Sequence, residues 1–531
     1  MLDVLISLVN HQISIGVISE IDALRFSSAI FCVVHNSAEK QKLIDYNRRR
    51  ANGEKIEPLT DEEMENAPIG TNRLNNVRFR LIYDAVKLNT IVAPVPGDFL
   101  IQGCQLSIAS IAKSETMSLI DIKGAFTSLP VSVMSRPWLG LSLMDQRLLC
   151  FNFAPLGLAC VPSVFQRVLM SAIRPSVRKY CRFHLDDCIL ATDRSSHPKL
   201  LEQLFEDLEA VGMLVEAKKL QLMKTELIYL GFWVSCTQQR IMETSYELEI
   251  HIPKTKSEMA AFLGRMNYFA HFIAGFQMLA ALLHPTLKAT SKYELDHIQI
   301  KAVEEIIRLF KEAPTLWLLD PTQELYVACD SSSIGCGSVF FQRIDNDMRL
   351  ISYYSCKYTA GQVANNSSLE LELLAIIRTM SAHRHLINMC MPIVVLCDCR
   401  VLCCLRALSG CISNSKLSRW FACLESLAPA LTLKWTTSSD EMIGIADFLS
   451  RLDERHVRFS NRKVVNLQAK NRLHAMVKDL LYGWRIDNVA LTHQDIKIIA
   501  ERLGKSPQFQ AALDAVKKIE DSNQSDSSST N

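Results

Sequence analysis

Two adjacent aspartates, Asp186 and Asp187, stand between short apolar, β-prone runs in residues 182–190 (RFHLDDCIL). Aspartate is a good turn residue, so an isolated Asp-Asp pair is first of all the tip of a hairpin. The same pair could hold a divalent cation, which takes hard oxygen ligands and cancels their mutual repulsion. Choosing between the two readings requires a third carboxylate. Residues 117–126 (MSLIDIKGAF) read as a strand that ends at Asp121 and turns at Gly124. Asp121 beside the hairpin could complete a two-metal site, in which ions about 3.5–4 Å apart activate an attacking hydroxyl and stabilise a leaving phosphate oxygen. Side chains alternate across a strand, so Asp186 and Asp187 are not expected to be equivalent.

A second set of carboxylates follows. Residues 325–342 (LYVACDSSSIGCGSVFFQ) place Asp330 at a strand end before Gly335 and Gly337. Residues 368–378 (SLELELLAIIR) read as a helix carrying Glu370 and Glu372. At about 100° per residue these two point roughly 200° apart, so only one can face a metal. Asp398 ends another apolar strand in residues 394–399 (VVLCDC), and Asp447 lies in residues 445–451 (IADFLSR). Carboxylates brought together from separate elements are costly unless cations accompany them.

The elements that must position these groups are legible in outline. A chain of 531 residues is too long for one core, and its 49% hydrophobic content is ample for several. Residues 39–70 are largely charged and polar and read as part of an exposed insertion, 39–76, between apolar strands at 29–34 and 77–83. Strand-rich and helix-rich stretches alternate through residue 235, as in a mixed α+β domain. Phe262, Met266, Phe269 and Ile273 recur at helical spacing and predict an amphipathic helix within residues 255–276. A new α/β region opens at the strand 325–329 and runs to 451.

Bulk properties exclude some classes. No apolar run reaches the length of about 18 residues that a spanning helix needs, and residues 1–10 have Asp3 in place of a basic leader, so neither a membrane span nor a signal peptide is expected. The 17 cysteines are scattered and odd in number, as in free thiols of a reducing, intracellular compartment. Cys397, Cys399, Cys403 and Cys404 cluster without a matching pair at zinc-finger spacing. The net charge of +2 does not announce a nucleic-acid binder, but the basic residues Arg455, Arg458, Arg462, Lys463, Lys470, Arg472, Lys478 and Arg485 face only Asp479. They form either a solvated face or a set of phosphate contacts.

Taken in order, these motifs resemble the reverse transcriptase and ribonuclease H portion of the pol polyprotein of gypsy-type long-terminal-repeat retrotransposons, relatives of the retroviral and caulimoviral enzymes. Gly16-Val17-Ile18 with Phe26-Ser27-Ser28-Ala29 is similar to the family's opening element. Arg80, Asp84 and Leu88-Asn89 resemble W-R-x-x-x-D-Y-R-x-L-N, and Asp121 sits in D-[LI]-K-x-[AG]-[FY]. Residues 153–158 (FAPLGL) with Pro162 and Phe165-Gln166-Arg167 resemble L-P-F-G-L-x-x-[AS]-P-x-x-F-Q-R, and Leu185-Asp186-Asp187 matches the Y-[VL]-D-D core. Leu230-Gly231-Phe232 is similar to F-L-G-x-x-V, and residues 262–273 to the linker signature F-L-G-x-x-N-Y-x-R-x-F-I. Asp330 falls in D-A-S-x-x-G-x-G-x-V, and Asp447 in [VI]-A-D-x-L-S-R.

The resemblance implies an α+β fold, a right-hand polymerase followed by an α/β ribonuclease H-like domain. It implies fingers and palm over 1–235, thumb and connection over 236–321, and the ribonuclease H-like domain over 322–452. Beyond the resemblance, which ends near Arg451, the basic residues and helical pattern predict a helical extension over 453–520, and composition predicts a disordered tail over 521–531. Asp121 and Asp186 would be polymerase metal ligands supported by Asp187. Asp330, Glu372, Asp398 and Asp447 would hold the ions of the hydrolytic site, the Glu before L-L-A-I selecting Glu372 over Glu370. Phe126 would lie under the incoming sugar and leave no room for a 2′-hydroxyl. Arg80 and Arg73 would clamp the triphosphate, Gln166 would lie near nucleotide or template, and Leu230 and Gly231 would grip the primer.

The implied cofactors are two Mg2+ ions per site, with Mn2+ as an alternative. The implied partners are RNA template, DNA primer, RNA–DNA hybrid and deoxynucleoside triphosphates, with no membrane, in a cytoplasmic particle or the nucleus. The other class of function considered is a catalytically silent or host-adopted nucleic-acid binder, which would be expected to lose carboxylates; all seven are present. No D-[ST]-G protease motif and no integrase-type His/Cys set is found, as expected of a fragment, or a diverged member, of a larger pol product. Two departures stand out. His184 replaces the usual Tyr before x-D-D. Ile443 takes the place of a polar Asn four residues before Asp447, with Asp440 replacing a Gly, so slow hydrolysis that Ile443→Asn accelerates is expected.

Overall fold

The structure is a computed structural model and describes residues 2–452 apart from 36, 53, 55–56, 93–103, 143–146, 243–244, 246–249, 289–292, 345–346, 388–391 and 408–414. The basic run from Arg455 to Arg485, the extension 453–520 and the tail 521–531 lie outside the described residues. The chain divides into two compact units, Met1–Gly103 with Met117–Met223, and Cys104–Thr116 with Lys224–Asn531.

In the first unit the strand Thr116–Lys123 lies inside a sheet ordered Leu214–Val215, Thr116–Lys123, Asp187–Thr192, Cys181–His184. Its sequence TMSLIDIK does not alternate cleanly because six of its first seven residues are buried, as expected for a strand covered on both faces. Helices Val161–Ala172 and His197–Ala210 supply Val161, Phe165, Leu169, Leu201, Leu204 and Leu208 to the same core. Both begin with proline in the first turn, where the missing N–H costs nothing. Cys181–His184 and Asp187–Thr192 pair antiparallel as a tight hairpin, with His184 opposite Asp187 and Leu185-Asp186 as the turn.

The strand expected at 29–34 is Ile30–Val34 and pairs antiparallel with Val77–Tyr83. Between them the polar insertion folds as two helices, Ser37–Ala51 and Asp61–Asn66. The second is closed by a Thr60/Glu63 capping box, which satisfies helix-end donors reciprocally. Glu39 of the first accepts a hydrogen bond from the Arg78 backbone N–H at 2.8 Å, and Leu43 packs against the apolar cluster of Val4, Leu8, Val77 and Phe79, so a stretch without apolar periodicity is held by a polar contact and an apolar anchor.

The second unit contains two sheets. Glu226–Tyr229, Phe232–Ser235, Gln238–Ile241 and Leu316–Trp317 form an antiparallel one. The helix predicted within 255–276 runs from Lys256 to Tyr268 and stops. The chain then turns through Phe269, Phe272 and Ile273, all buried, and Gly275 at φ +74° starts a second helix, Phe276–Leu283. Tyr268, Phe269 and Phe272 each pack against the ring of Phe232, so the apolar period continues in space after the helix has ended.

The other sheet is ordered Asp347–Lys357, Gly335–Ile344, Leu325–Ser331, Ile393–Cys397, Leu431–Trp435. The first three strands are antiparallel and the last two join in parallel. Helix Ser368–Ala382 packs on one face, where Thr379 approaches Cys329 and Ser338. Helix Glu441–Ser450 packs so closely on Gly337 that a Cβ there would lie 2.3 Å from the Ala446 carbonyl. Only glycine permits that approach.

Candidate active sites

Asp121, Asp186 and Asp187 reach one end of the first unit's sheet from three backbone positions. Asp121 lies within Thr116–Lys123, which runs two residues past it. Asp186 is the second turn residue, and Asp187 opens the next strand. The Ile122 N–H donates to the Asp186 carbonyl at 2.9 Å and fixes the hairpin tip against the Asp121 strand. Leu185 sits at φ +57°, a left-handed conformation that glycine ordinarily fills and that costs a leucine about 1–2 kcal/mol. Gln166 offsets that strain. Its side-chain N–H donates to the Phe183 carbonyl at 3.1 Å, and its carbonyl accepts from Leu185 N–H at 3.2 Å, so this buried amide clasps the turn from the helix behind it.

Burial, then the charges of Asp186 and Asp121, push the Asp187 carboxyl up to about 6. Lys219 opposes them. Its ammonium ion-pairs with Asp121 at 2.7 Å, and that hydrogen bond is the main cause that raises the lysine above its ordinary value. Lys219 was not singled out by sequence reasoning; it lies 98 residues from Asp121, in the short turn Ala217–Lys219. The three carboxylates do not gather into a ligand cluster; among the described residues that arrangement is found only in the second unit.

The neighbouring candidates are spread around this centre. The Phe126 ring meets Phe165 edge-on at 5.8 Å. Arg80 is exposed on Val77–Tyr83. Arg73 is engaged by Asp61 at 2.7 Å and by the Leu59 carbonyl at 2.8 Å. His184 buries an Nδ1 without a hydrogen-bond partner. Asn89 joins two motifs of the sequence: it donates to the Gly157 carbonyl and accepts from Ala159 N–H, both at 3.0 Å. Gly157 itself, at φ +121°, lies where a Cβ would meet the Tyr83 carbonyl at 2.5 Å.

In the second unit, Leu230 and Gly231 are the two left-handed residues, φ +49° and +77°, that turn Glu226–Tyr229 into Phe232–Ser235. The Tyr268 hydroxyl donates to the Leu230 carbonyl at 2.6 Å and braces the turn.

The second carboxylate set closes more tightly. Asp330, Glu372 and Asp398 each offer an oxygen within 4.8 Å of the others. Asp330 is 3% exposed and Glu372 8%. Burial first, then the charges of Asp330 and Asp398, raise Glu372 to about 9; burial and the charges of Asp447 and Asp398 raise Asp330 to about 7. Three acceptor-only oxygen donors held together at such a cost are the donor set that a hard cation requires, so these residues fit a magnesium-type ion. Ser450 donates to Asp330 at 2.8 Å, a contact that the close approach at Gly337 allows. Ser450 lies within I-A-D-F-L-S-R, and that motif is the signal in the sequence that points to it.

Asp447 is not in the cluster; its carboxylate pairs with Arg451 one turn on. Glu370 belongs to the Ser367 capping box and pairs with Lys416 at 3.1 Å, while Glu372 turns inward. Ile443 is 1% exposed and points into the core, and Asp440 caps the helix by accepting from Met442 and Ile443 N–H at 2.9 and 3.3 Å. The expectation that Ile443 marks a missing substrate contact is corrected on this point, since an apolar side chain at a buried helix position is core.

Residues 67–234 match the family model described as reverse transcriptase (RNA-dependent DNA polymerase), and residues 295–395 that of the RNase H-like domain found in reverse transcriptase. The chain thus carries a reverse transcriptase domain followed by a ribonuclease H-like domain. It is similar to the retrovirus-related Pol polyprotein from transposon 297 of Drosophila melanogaster, 25% identical over 312 residues, 58% of this chain and 29% of that protein. It is also similar to the transposon Tf2-3 polyprotein of Schizosaccharomyces pombe, 24% identical over 382 residues, 70% of this chain and 28% of that one. Its homologues are therefore Pol polyproteins of long-terminal-repeat retrotransposons, and it spans less than a third of their length.

Two solved structures share the fold. The foamy viral protease-reverse transcriptase in complex with dsDNA has a TM-score of 0.62 at 18% identity, covering 82% of this chain and 83% of that one. The same enzyme in complex with RNA/DNA hybrid has a TM-score of 0.60 at 18% identity, covering 82% and 53%.

Proposed function

We propose that this chain is an RNA-directed DNA polymerase with RNA–DNA hybrid ribonuclease activity, from the pol product of a gypsy-type retrotransposon. The observation that carries the reading is the convergence of Asp330, Glu372 and Asp398 within 4.8 Å in a domain that follows a reverse transcriptase domain bearing Asp121, Asp186 and Asp187. Its substrates are RNA template, DNA primer, deoxynucleoside triphosphates and the hybrid they generate.

Asp121 and Asp186 would hold the polymerase ions, with Asp187 in support; Asp330, Glu372 and Asp398 would hold the hydrolytic ions, with Asp447 released from its pair with Arg451 to join them. Bound divalent ions supply a deprotonated hydroxyl or water and offset charge on the leaving oxygen. The chain's own residues do the rest. Gln166 keeps the hairpin tip in register, and Lys219 balances the charge of Asp121. Exposed Arg80 is the better placed guanidinium for a triphosphate, because Arg73 is engaged by Asp61. Phe126 packs on Phe165 under the sugar and excludes a ribose 2′-hydroxyl. Leu230 and Gly231, braced by Tyr268, present backbone to the primer.

The test is primer extension on a homopolymer RNA template by the full chain with magnesium, alongside cleavage of a labelled RNA–DNA hybrid. Incorporation of deoxynucleotides and metal-dependent cutting of the RNA strand are expected. Tight hybrid binding with neither activity under magnesium or manganese would assign a silent nucleic-acid binder instead.

A further inference from the structure

Behind the Asp330 cluster, two thiols face each other across adjacent strands. Cys336 of Gly335–Ile344 is paired directly with Cys356 of Asp347–Lys357. Directly opposed residues of an antiparallel pair have Cα atoms about 4.5–5.5 Å apart, inside the range of about 4.4–6.8 Å that a disulfide spans. Both cysteines are free thiols that hydrogen-bond to each other; Cys336 is wholly buried and Cys356 half-buried. The Arg378 guanidinium donates to the Cys356 sulfur at 3.0 Å. The hydrogen bond from Cys336, with the charge of Arg378, holds the Cys356 thiol below the ordinary cysteine value. A partly exposed thiol beside a cation, with a second thiol in bonding range, is the arrangement of a reactive cysteine and its resolving partner.

The same place touches the hydrolytic site through one side chain. Arg378 lies over the ring of Tyr358 at 5.5 Å, two residues beyond Cys356. The Tyr358 hydroxyl bonds Ser331, next to Asp330, at 3.0 Å, and the carbonyl of Leu371, next to Glu372, at 3.2 Å.

We propose that Cys356 is a peroxide-reactive thiol that closes a reversible cross-strand disulfide with Cys336, and that this bond slows the neighbouring hydrolytic site. The Cys356 thiolate attacks one peroxide oxygen, breaks the O–O bond and expels hydroxide, leaving a sulfenic acid. The Cys336 sulfur then attacks the Cys356 sulfur and displaces hydroxide, while the Cys336 proton joins that hydroxide as water. Two thiols are oxidised, one peroxide is reduced to two waters, and an external dithiol reverses the bond. Closing it withdraws the Cys356 sulfur from Arg378 and so disturbs the Arg378–Tyr358 contact that braces the backbone beside Asp330 and Glu372. The disulfide itself is independent of the function proposed above; its effect on hybrid cleavage rests on that reading.

The test treats the reduced full chain with substoichiometric to modest excess hydrogen peroxide, caps remaining thiols with N-ethylmaleimide and maps the peptides by mass spectrometry. The expected first product is a peptide pair linking Cys336 to Cys356, reversed by dithiothreitol and formed before the exposed thiols Cys404 and Cys423 are oxidised. Arg378→Gln should slow its formation about fivefold or more, because the thiolate loses its cation. Cys336→Ser should leave a Cys356 sulfenic acid that dimedone captures. Early oxidation of Cys404 or Cys423, or a Cys397–Cys403 link (sulfurs 3.5 Å apart) in place of Cys336–Cys356, would overturn the proposal. Hybrid cleavage by the wild-type chain should fall several-fold on oxidation and recover with dithiothreitol. A mapped disulfide with unchanged cleavage would overturn the regulatory half, and a reduced chain that cleaves no hybrid would overturn the hydrolytic reading while leaving the disulfide intact.

Discussion

Gln166 shows how one buried amide can hold the turn that carries Asp186. It closes both backbone groups beside the strained Leu185, and removing it leaves a donor and an acceptor unpaired at about 1–3 kcal/mol each. Gln166→Ala is therefore expected to lower kcat for nucleotide incorporation about tenfold or more, each 1.36 kcal/mol being a factor of about ten, with hybrid Kd little changed. An unchanged kcat would make Gln166 ordinary packing. Ile443 makes the opposite case. Its side chain is 1% exposed, so Ile443→Asn exchanges apolar contacts for an amide with no evident partner and should destabilise by about 2–4 kcal/mol. Thermal melting checks this, and a variant that melts unchanged and cuts hybrid faster would restore the view that the position faces substrate.

At the scale of elements, helix Ser368–Ala382 carries both Glu372 and, at its C-cap, the buried His383. The environment of His383 suits a neutral ring: Nδ1–H donates to the Thr379 carbonyl at 3.3 Å, Nε2 accepts from Ser352 at 3.1 Å, and Phe340 stacks at 4.1 Å. Burial, and to a lesser degree His385, push its pKa down to about 3. The folded value lies below the unfolded value of about 6.5, so the unfolded chain takes up the proton first. The stability that His383 contributes is full above about pH 6.5 and is lost as pH falls toward the folded value. A loss on the order of a few kcal/mol down to about pH 4 is expected. His383→Gln keeps a donor and an acceptor but does not titrate, so its melting temperature should fall less steeply with acid. Equal slopes for the two proteins would remove His383 from the acid response.

For the whole molecule, the division into two compact units puts Asp121, Asp186 and Asp187 in one and Asp330, Glu372 and Asp398 in the other. Each centre is completed by cationic or hydroxyl groups of its own unit, Lys219 in the first and Ser450 in the second. The two activities should therefore separate. On the proposed function, Asp186→Asn is expected to abolish incorporation and leave hybrid cleavage within about twofold, and Asp398→Asn to do the reverse, because each removes a proposed metal ligand from only one of the two sites. Parallel assays on one preparation of each variant decide it. Loss of both activities from either change, with melting intact, would mean that the centres are coupled.

The chain's own pattern determined the strands that carry Asp121 and Asp330, the strand that ends just before Asp398, the helix that points Glu370 and Glu372 apart, and the hairpin at Asp186-Asp187. Each of these follows from local periodicity and turn chemistry, which act over a few residues and are written in consecutive letters. Tertiary structure decided which of those groups meet. It brought Lys219 to Asp121 across 98 residues, Gln166 behind Leu185, and Ser450 onto Asp330 across 120 residues. It also left Asp447 with Arg451 and turned Ile443 into the core. Such contacts depend on how whole faces pack, at Gly337 on the absence of a single Cβ, and no spacing along the chain encodes how far a side chain from a distant segment will reach.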